Sequence, residues 1–586
     1  MKSFMKLFFA SFLAMIIFTI IVLVIGIAVI GFALQPTKPD LGSKGVLVLD
    51  LSSGFNEQAK DNPLASITGD ASDNDPGLYD IIRMLHYAKT DTTIKAVYLK
   101  AGYNANGYAA SEELRKAILD FKESKKMVLA YGEAMDQKSY YVATAADKIY
   151  CHPNGGIDWD GFSVTLLFMK GLLDKLGVEP QVFFAGKFKS ATEPFRVTKM
   201  TDANRIQTTD LLNDLYSNFL QQAAKARNLD TASLHQLSIN GSIRTAYDAL
   251  NYKLVDGLKY DDQIQSELLK KLGQGKKETV NFISFDKYAK AVDYKKSGSA
   301  KIAIIYAQGD IVGGKGDDDE IGSDNYISLL RKARLDDDIK AIVFRVNSPG
   351  GSSLASDAIW REVTLAKENK PFVVSMGDYA ASGGYYISCN ADSVFADATT
   401  ITGSIGVFSI IPNFQPFFND KLGITFDGVK TAPYADMGST GRPLTETEKR
   451  FMQASVDSIY NTFKNRVASG RTKDISYIDS IAQGHVYTGS RALQLALIDK
   501  TGTLQDAIDC AARMAKLNEY GTKEYPEKKS FWEQLVNSSS YKASMQESAV
   551  KENIGAQQYY MLQQVKKIRV LMQAPQARLP FDFDIK

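Results

Sequence analysis

The chain has 586 residues, of which 45% are hydrophobic and 23% charged, and its formal net charge is +2. This is ordinary globular composition, and the interleaved basic and acidic residues give no electrostatic footprint for nucleic acid. Three cysteines and four histidines are too few and too scattered for a dense disulfide framework, a CxxC zinc site or an HExxH metalloprotease, so we expect neither a metal nor a cofactor.

The first feature along the chain is an uncharged, apolar run, Leu7–Leu34, that follows Lys2 and Lys6. As a helix it would be about 42 Å long, more than the roughly 30 Å hydrocarbon core, whereas the core of a cleaved signal peptide has only about 7 to 15 residues. Lysines before the run favour a cytoplasmic N-terminus. Residues 1–40 are therefore predicted to be a cytoplasmic tip, a transmembrane anchor and a linker. A long cleaved signal peptide is the alternative.

The first half of the chain then alternates predicted strands and helices. The segments are Gly45–Leu51 (strand), Ile94–Leu99 (strand), Glu112–Glu123 (helix), Met127–Tyr131 (strand) and a long helix near residues 202–227. Such alternation predicts a mainly parallel sheet with right-handed crossovers. The strands are continuous apolar runs, as expected for a sheet that is covered on both faces.

A lysine- and glycine-rich segment, residues 270–300, separates this half from the second one. The second half offers the same kinds of element in the same order: strands at Lys301–Tyr306 and Pro371–Met376, and helices at Asp357–Glu368 and near residues 445–470. This segment is therefore interpreted as a connector between two similar units.

The two halves share one register over roughly 60 residues, which indicates a duplication. The strand Ile94–Leu99 corresponds, about 245 positions later, to Ile339–Phe344, and Tyr140 corresponds to Tyr385. The duplication predicts two large homologous units rather than three or four unrelated domains. The predicted limits are residues 41–270 for the first unit, 271–299 for the connector, 300–515 for the second unit and 516–586 for an extension without recognisable chemistry.

The copies differ most where one of them carries glycines and a serine. The second half has Asn347–Gly351 (NSPGG) after one strand and Ala380–Gly384 (AASGG) after the next. The first half lacks both motifs and has Gln137 where Ser382 would be expected. The candidate nucleophile is therefore confined to the second half.

The two motifs have the residue types of an acyl-transfer site. Glycines directly after a strand let backbone NH groups face a ligand, as an oxyanion hole requires, and Gly350–Gly351 and Gly383 can provide them. The small residues around Ser382 favour a sharp turn that presents its Oγ. Because adjacent parallel strands end at the same edge of a sheet, the two loops are expected to lie together.

A serine nucleophile needs a base, and lysine is a candidate because histidine is scarce. Lys189 aligns, with one residue of drift, with Ala435 of the second half, so one half has the serine and the other the lysine. From a reference value of about 10.4, burial would have to lower the lysine pKa by about 3 units, a cost of about 4 kcal/mol. An apolar interface between the halves would supply this desolvation. On residue type alone, a surface lysine is the alternative.

Four segments, Val346–Gly351, Met376–Tyr386, Thr402–Gly406 and Gly186–Phe195, closely resemble the signal peptide peptidase A family, also called protease IV. The resemblance is to the long, tandem-repeat, membrane-anchored form of this family. It extends from the anchor to about residue 510.

This resemblance implies an α/β, Clp protease/crotonase-like fold in two tandem domains and a serine protease with a Ser/Lys dyad. Ser382 matches the nucleophile and Lys189 the general base, while Ser404 matches the family serine that hydrogen-bonds the lysine. Gly351 and Gly383 occupy the oxyanion-hole positions. Whether Ser382 meets the Lys189 of its own chain or of a neighbour is left open, as is the cleavage-site preference.

The resemblance also implies partners and a location. The family degrades signal peptides left in the membrane after preprotein cleavage, and it forms a bowl-shaped homo-tetramer. A single-pass protein of the bacterial inner membrane, with its catalytic domains on the periplasmic side, is therefore expected.

Two other functions are compatible with parts of the sequence. A crotonase-like acyl-CoA enzyme also uses glycine-backed oxyanion holes, but coenzyme A is cytosolic and the predicted anchor places the domains on the other side of the membrane. A catalytically idle membrane scaffold could be built from the repeats. Against the scaffold stands the retention of Ser382 in one half and Lys189 in the other.

Overall fold

The structure is a computed structural model that describes residues 4, 8, 10–19, 21–22, 38–59, 76–275, 277–527, 575–579 and 585. Residues 10–19 are helical. Much of the apolar run Leu7–Leu34 lies outside the described residues. Among the residues that are described, no helix is both long and apolar enough to cross a membrane. The anchor therefore stays a prediction.

The first half alternates strands and helices as the sequence pattern predicts. Its elements are β1 (Gly45–Asp50), α1 (Leu78–Ala88), β2 (Ile94–Lys100), α2 (Tyr108–Lys122), β3 (Met127–Met135), α3 (Gln137–Ala143), β4 (Lys148–Ile157), α4 (Lys170–Leu176), β5 (Glu179–Ala185), a 3₁₀ turn (Ser190–Thr192), α5 (Glu193–Arg196), α6 (Asp202–Arg227), α7 (Thr231–Ile239), α8 (Ala246–Asn251), β6 (Gly257–Leu258), α9 (Asp261–Lys271), β7 (Phe282–Ser284) and α10 (Phe285–Ala291).

The second half follows the same plan and adds short strands around its loops. Its elements are β8 (Lys301–Gln308), β9 (Asp310–Val312), β10 (Glu320–Gly322), α11 (Ser323–Leu335), β11 (Ile339–Ser348), β12 (Gly350–Ser352), α12 (Ser353–Lys367), β13 (Phe372–Ala381), α13 (Gly383–Ser388), β14 (Ser393–Ala396), β15 (Ile401–Gly403), β16 (Val407–Asn413), a π-helical turn (Phe417–Leu422), α14 (Glu446–Gly470), α15 (Ile475–Ile481), β17 (Val486–Thr488), α16 (Gly489–Gln494), β18 (Lys500–Thr501), α17 (Leu504–Met514), β19 (Gly521–Tyr525) and β20 (Gln576–Arg578).

Each half contains one mainly parallel sheet with a buried core. The first sheet has the strand order β6-β4-β3-β2-β1-β7, and the main path of the second is β17-β15-β13-β11-β8-β19. The repeated strands β2 and β11 lie centrally, pairing in parallel with β3 and β13 respectively. This arrangement confirms the α/β class and the parallel sheets that the apolar runs predict.

Part of the predicted connector is secondary structure that belongs with the first half. Strand β7 pairs in parallel with β1, and α10 follows it directly. Residues 282–284 therefore extend the first sheet, and residues 285–291 form the helix that follows. The predicted domain limits themselves remain a prediction.

A third sheet joins the two halves. Its order is β10-β9-β12-β20-β16-β5, so β5 from the first half pairs with β16 from the second. Strand β5 leads into the loop that carries Lys189, and β16 follows the loop that carries Ser404. The sheet therefore brings together the segments that the sequence assigns to one site.

A buried charge network also connects the halves. Arg345, on β11, donates to Glu57 at 2.8 Å and lies 2.7 Å from Glu113, and both acids come from the first half. All three side chains are nearly inaccessible to solvent. Removal of one partner would leave an uncompensated buried charge, which is far more costly than breaking an exposed pair.

We expect Arg345→Met to lower the free energy of unfolding by about 3 to 5 kcal/mol, because two carboxylates lose their buried partner. The matched control is Arg244→Met, which breaks an exposed ion pair with Asp160 and should cost less than about 1 kcal/mol. Denaturant unfolding followed by circular dichroism measures both. Equal losses in the two variants would show that the network contributes no more than a surface pair.

Candidate active site

Ser382 occupies the single position between β13 and α13. Its backbone has φ 54° and ψ −112°, a conformation that few non-glycine residues adopt, and its NH donates to the Gly403 carbonyl at 2.8 Å. The side chain is fully buried. Strained backbone of this kind is typical of functional residues, and here it forms the sharp turn that the AASGG motif predicts.

Lys189 contacts Ser382 directly and within one chain. Its Nζ lies 2.8 Å from Ser382 Oγ, 3.1 Å from Ser404 Oγ and 3.1 Å from the Ser404 carbonyl oxygen. The structure therefore brings together the three side chains that the sequence assigned to one site. The sequence left open whether Ser382 meets the Lys189 of its own chain or of a neighbour. In this structure both residues belong to the same chain.

The loop that carries Lys189 is held by the second half. The Phe188 NH donates to the Gln483 carbonyl at 2.7 Å, and Gly484 packs against the lysine backbone. Gly484 has φ +76°, and a β-carbon there would lie 2.6 Å from the Lys189 nitrogen. Only glycine fits this position, so residues 483 and 484 contribute to the placement of the lysine.

Further positioning residues come from α6 and from the loop before β17. The Gln207 side-chain amide donates to the Phe188 carbonyl at 2.9 Å and to Ser190 Oγ at 2.8 Å. The His485 carbonyl accepts from the Ser404 NH at 2.7 Å. The sequence patterns singled out neither Gln207 nor His485 for this site. Neither residue lies in a motif, and their contacts span long stretches of sequence.

Burial lowers the pKa of Lys189 well below its ordinary value of 10.5. The side chain is 1% exposed, and the contacts of its amine are hydroxyl and carbonyl oxygens rather than a carboxylate. Desolvation penalises the ammonium form, and among the described residues no carboxylate offsets this penalty. A neutral lysine can accept a proton from the serine hydroxyl, as a general base must.

The glycines predicted for the oxyanion hole lie beside Ser382. Ser348, just before the Pro-Gly-Gly turn, is in parallel register with Ala380 of the neighbouring strand. A β-carbon added to Gly350 would lie 2.7 Å from the Gly383 nitrogen, so the two glycine loops adjoin. The predicted meeting of these loops at one sheet edge is confirmed.

The matching place in the first half has no nucleophile. Gln137, at the start of α3, uses its side-chain amide to donate to the Gly161 carbonyl and to accept from the Gly161 NH. Ala435, the counterpart of Lys189, is exposed. In the first half, the position that corresponds to the nucleophile is thus occupied by Gln137, a hydrogen-bonded structural residue.

One occupant of the site was not anticipated. Residues 575–579, here called the tail segment, lie across the glycine loop, with β20 paired antiparallel to β12. The sequence had offered no chemistry for residues beyond 515. A segment this short carries no periodicity, so its placement could not be read from the sequence.

Comparison with known proteins identifies the family. The sequence profile of peptidase family S49 matches twice, at residues 120–274 and at residues 364–518. The two matches together span more than half of the chain. Their separation in sequence is nearly the same as that of the internal repeat. The chain belongs to peptidase family S49. The two matches also confirm the tandem duplication.

Curated relatives of this S49 peptidase are proteases. Protease 4 of Salmonella typhi is 35% identical over 85% of this chain and 82% of its own length. Protease 4 of Haemophilus influenzae is 32% identical over 83% of this chain and 82% of its own length. Serine protease SPPA, chloroplastic, of Arabidopsis thaliana is 32% identical over 73% of this chain and 64% of its own length.

The S49 peptidase is a serine protease, and its resemblance to the signal peptide peptidase A family is confirmed. The predicted α/β fold in two tandem units agrees with the parallel sheet of each half and with the two family matches. Neither the acyl-CoA enzyme nor the idle scaffold is supported by these comparisons.

The lowered pKa of Lys189 predicts the direction of the pH dependence. Below this pKa the amine is protonated and cannot accept the serine proton, so kcat/KM should rise with pH and level off below the range of an ordinary lysine. Peptide hydrolysis over a pH series measures the profile. We expect Lys189→Met to lose about 10²- to 10⁴-fold in kcat/KM and to lose this rising limb.

The control for this variant is Lys187→Met, because Lys187 is an exposed neighbour on the same loop. It should keep both the rate and the profile of the wild type. A rising limb that survives in Lys189→Met would assign the titration to another group.

Proposed function

We propose that this S49 protease works through a Ser/Lys dyad, with Ser382 as nucleophile and Lys189 as general base, and that it degrades signal peptides left in the membrane. The observation that carries the proposal is the buried contact of 2.8 Å between Lys189 Nζ and Ser382 Oγ. The two residues come from different halves of the chain and lie 193 positions apart in sequence. Such a contact can form only when the two halves of the chain are folded against each other.

In the first step, Ser382 Oγ attacks the carbonyl carbon of the substrate while its proton passes to Lys189 Nζ. The lysine is suited to this because burial disfavours its ammonium form. Ser404 acts as a positioning residue, since its hydroxyl and carbonyl oxygens both lie 3.1 Å from Nζ. The three contacts fix the direction in which the amine points.

The developing oxyanion is stabilised by the backbone NH groups of Gly351 and Gly383. Gly383 is the residue after the nucleophile, and Gly351 lies on the neighbouring strand β12. Donors held by the backbone need no reorganisation during the reaction, which makes them effective in a buried site.

Lys189 then returns its proton to the leaving amine, which frees the product on the far side of the cut. A water molecule gives a proton to the same amine and attacks the acyl-serine, and Ser382 recovers its hydroxyl as the second product leaves. One lysine therefore serves both half-reactions, as general base and then as general acid in each.

Signal peptides are proposed as substrates because the site segments resemble the signal peptide peptidase A family. The apolar run Leu7–Leu34 supports an anchored enzyme, which would meet such peptides where they remain. The lysines before the run support catalytic domains on the periplasmic side of a bacterial inner membrane. A homo-tetramer, as in the resembled family, is proposed with them.

We expect Ser382→Ala to lower hydrolysis of a short hydrophobic peptide ester by about 10³-fold or more, because the covalent route is lost. Ser388→Ala is the matched control. Ser388 is equally buried in α13, and its hydroxyl donates only to the Gly384 carbonyl, so this variant should stay near wild-type activity. Equal turnover by wild type and Ser382→Ala would refute the assigned nucleophile.

The anchor leads to a separate expectation. Full-length protein should remain in the membrane pellet through alkaline carbonate extraction, whereas a chain that lacks residues 1–40 should be extracted and should keep its activity on soluble peptides. Both fractions are assayed by immunoblot and peptide hydrolysis. Release of the full-length chain by carbonate would contradict the anchor without affecting the dyad.

A further inference from the structure

The connector between the two halves carries a local excess of positive charge. Residues 270–301 contain nine lysines and three acids, although the formal net charge of the whole chain is only +2. The rest of the chain is therefore net acidic, and the positive charge is concentrated in this stretch. A concentration of lysines close to a membrane anchor is typical of a surface that attracts anionic lipids.

Four of these lysines lie on two helices, where solvent can reach them. Lys270 and Lys271 are exposed in the last turn of α9, and Lys290 is exposed on α10. Lys287 is partly exposed and lies three residues before Lys290, on the same side of the helix. Within the part of the chain that the structure describes, only Lys290 of these four forms an ion pair, with Asp286. The positive charge of the other three is therefore available to a ligand.

The segment that follows the predicted anchor runs along this connector. The Asn281 side-chain amide, just before β7, donates to the Leu41 carbonyl at 2.8 Å. The Lys44 amine donates to the Gly273 carbonyl at 3.2 Å, two residues after α9 ends. Residues 41–44 are therefore held against the end of α9 and the start of β7.

Only a short length of chain separates the predicted anchor from these contacts. Leu34, the last residue of the apolar run, is four residues from Lys38, which forms an ion pair with Asp293 at 2.9 Å. An extended chain advances at most about 3.6 Å per residue, so Lys38 lies within about 14 Å of the end of the anchor and Leu41 within about 25 Å. An anchor in the bilayer would therefore keep the connector close to the membrane surface.

Six lysines of the connector and of the segment before it are here called the basic face, and they are Lys44, Lys270, Lys271, Lys277, Lys287 and Lys290. Lysine is depleted at protein–protein interfaces, which favour aromatic residues and arginine. A lipid surface, in contrast, supplies many phosphates and attracts each lysine that comes within a Debye length of about 8 Å. The composition of the basic face therefore fits a membrane better than a second protein.

We propose that the basic face binds the anionic phospholipid headgroups of the membrane that carries the anchor. Each lysine near an anionic surface raises the binding constant about fivefold, and the anchor keeps the face at a high effective concentration. The catalytic domains then have two attachments to the membrane, one apolar and one electrostatic. The inference rests on the anchor proposed above and is independent of the dyad.

Lysine labelling of the full-length protein in vesicles tests this contact. The protein is reconstituted in vesicles of phosphatidylcholine alone and in vesicles that also contain phosphatidylglycerol. It is then treated with an amine-reactive reagent that does not cross membranes, and the labelled peptides are quantified by mass spectrometry. In the anionic vesicles, labelling of the basic face should be at least about threefold slower than in the neutral ones.

Two controls accompany this measurement. Lys225 and Lys473, which are exposed on α6 and after α14, should be labelled at the same rate in both kinds of vesicle. Salt at about 1 M, which shortens the Debye length to about 3 Å, should abolish the difference at the basic face.

Removal of charge tests the basic face directly. One variant has four of its lysines replaced, by Lys270→Gln, Lys271→Gln, Lys287→Gln and Lys290→Gln. In this variant the two remaining lysines, Lys44 and Lys277, should be labelled equally fast in both kinds of vesicle. The matched control loses the same charge at exposed lysines elsewhere and should keep the slow labelling, and its changes are Lys225→Gln, Lys340→Gln, Lys473→Gln and Lys500→Gln. Wild-type hydrolysis of a soluble peptide ester by both variants shows that they fold.

Equal labelling of the basic face of the wild type in the two kinds of vesicle would overturn the inference. Slow labelling in both would assign the protection to a protein contact, such as a second copy of the chain. The anchor is checked in the same samples, because the full-length chain has to float with the neutral vesicles. Loss of the chain from them would refute the anchor and the lipid contact together, whereas retention with equal labelling would refute the lipid contact alone.

Discussion

The site depends on keeping one lysine amine away from water and away from carboxylates. Lys189 is buried against backbone and hydroxyl oxygens, so its charged form is unfavourable and the neutral base becomes available. Burial of such a group destabilises the protein, and favourable contacts in the surrounding fold have to offset this cost. The interface between the two halves does so, because the loop before Lys189 is clamped by Gln483 and Gly484 of the second half.

The duplication gives this interface its shape. Two parallel sheets of the same design bring similar edges together, and each half then contributes what the other lacks. The Arg345 network and the contact of Asp378 with the start of α2 lie on this boundary, where Asp378 accepts from the Ala109 and Ala110 NH groups at 2.9 and 3.0 Å. These buried polar contacts specify one arrangement of the halves, which a purely apolar surface would define less strictly.

Local patterns in the sequence were sufficient to predict the alternating strands and helices of both halves and to identify the candidate nucleophile. The predicted helix near residues 202–227 is α6, and the AASGG motif identified Ser382 because small residues allow the turn it needs. Lys189 could be assigned only through family resemblance, because its partners are distant in sequence and a lysine has no local signature. The tail segment was missed since its placement depends on the open edges of β12 and β16, which exist only in the folded protein.

The pairing of β5 with β16 sets the distance between base and nucleophile. Ala185 pairs with Val407, so Lys189 and Ser404 each lie a few residues from one fixed point in the ladder. A strand advances about 3.3 Å per residue, so a slip of a single residue would carry Lys189 beyond hydrogen-bond reach and turn its side chain to the other face. Apart from Lys189 and Ser404 themselves, the stretches 179–189 and 404–413 should therefore tolerate substitutions better than insertions or deletions, and their constant length is a criterion by which active and inactive relatives of this architecture can be separated.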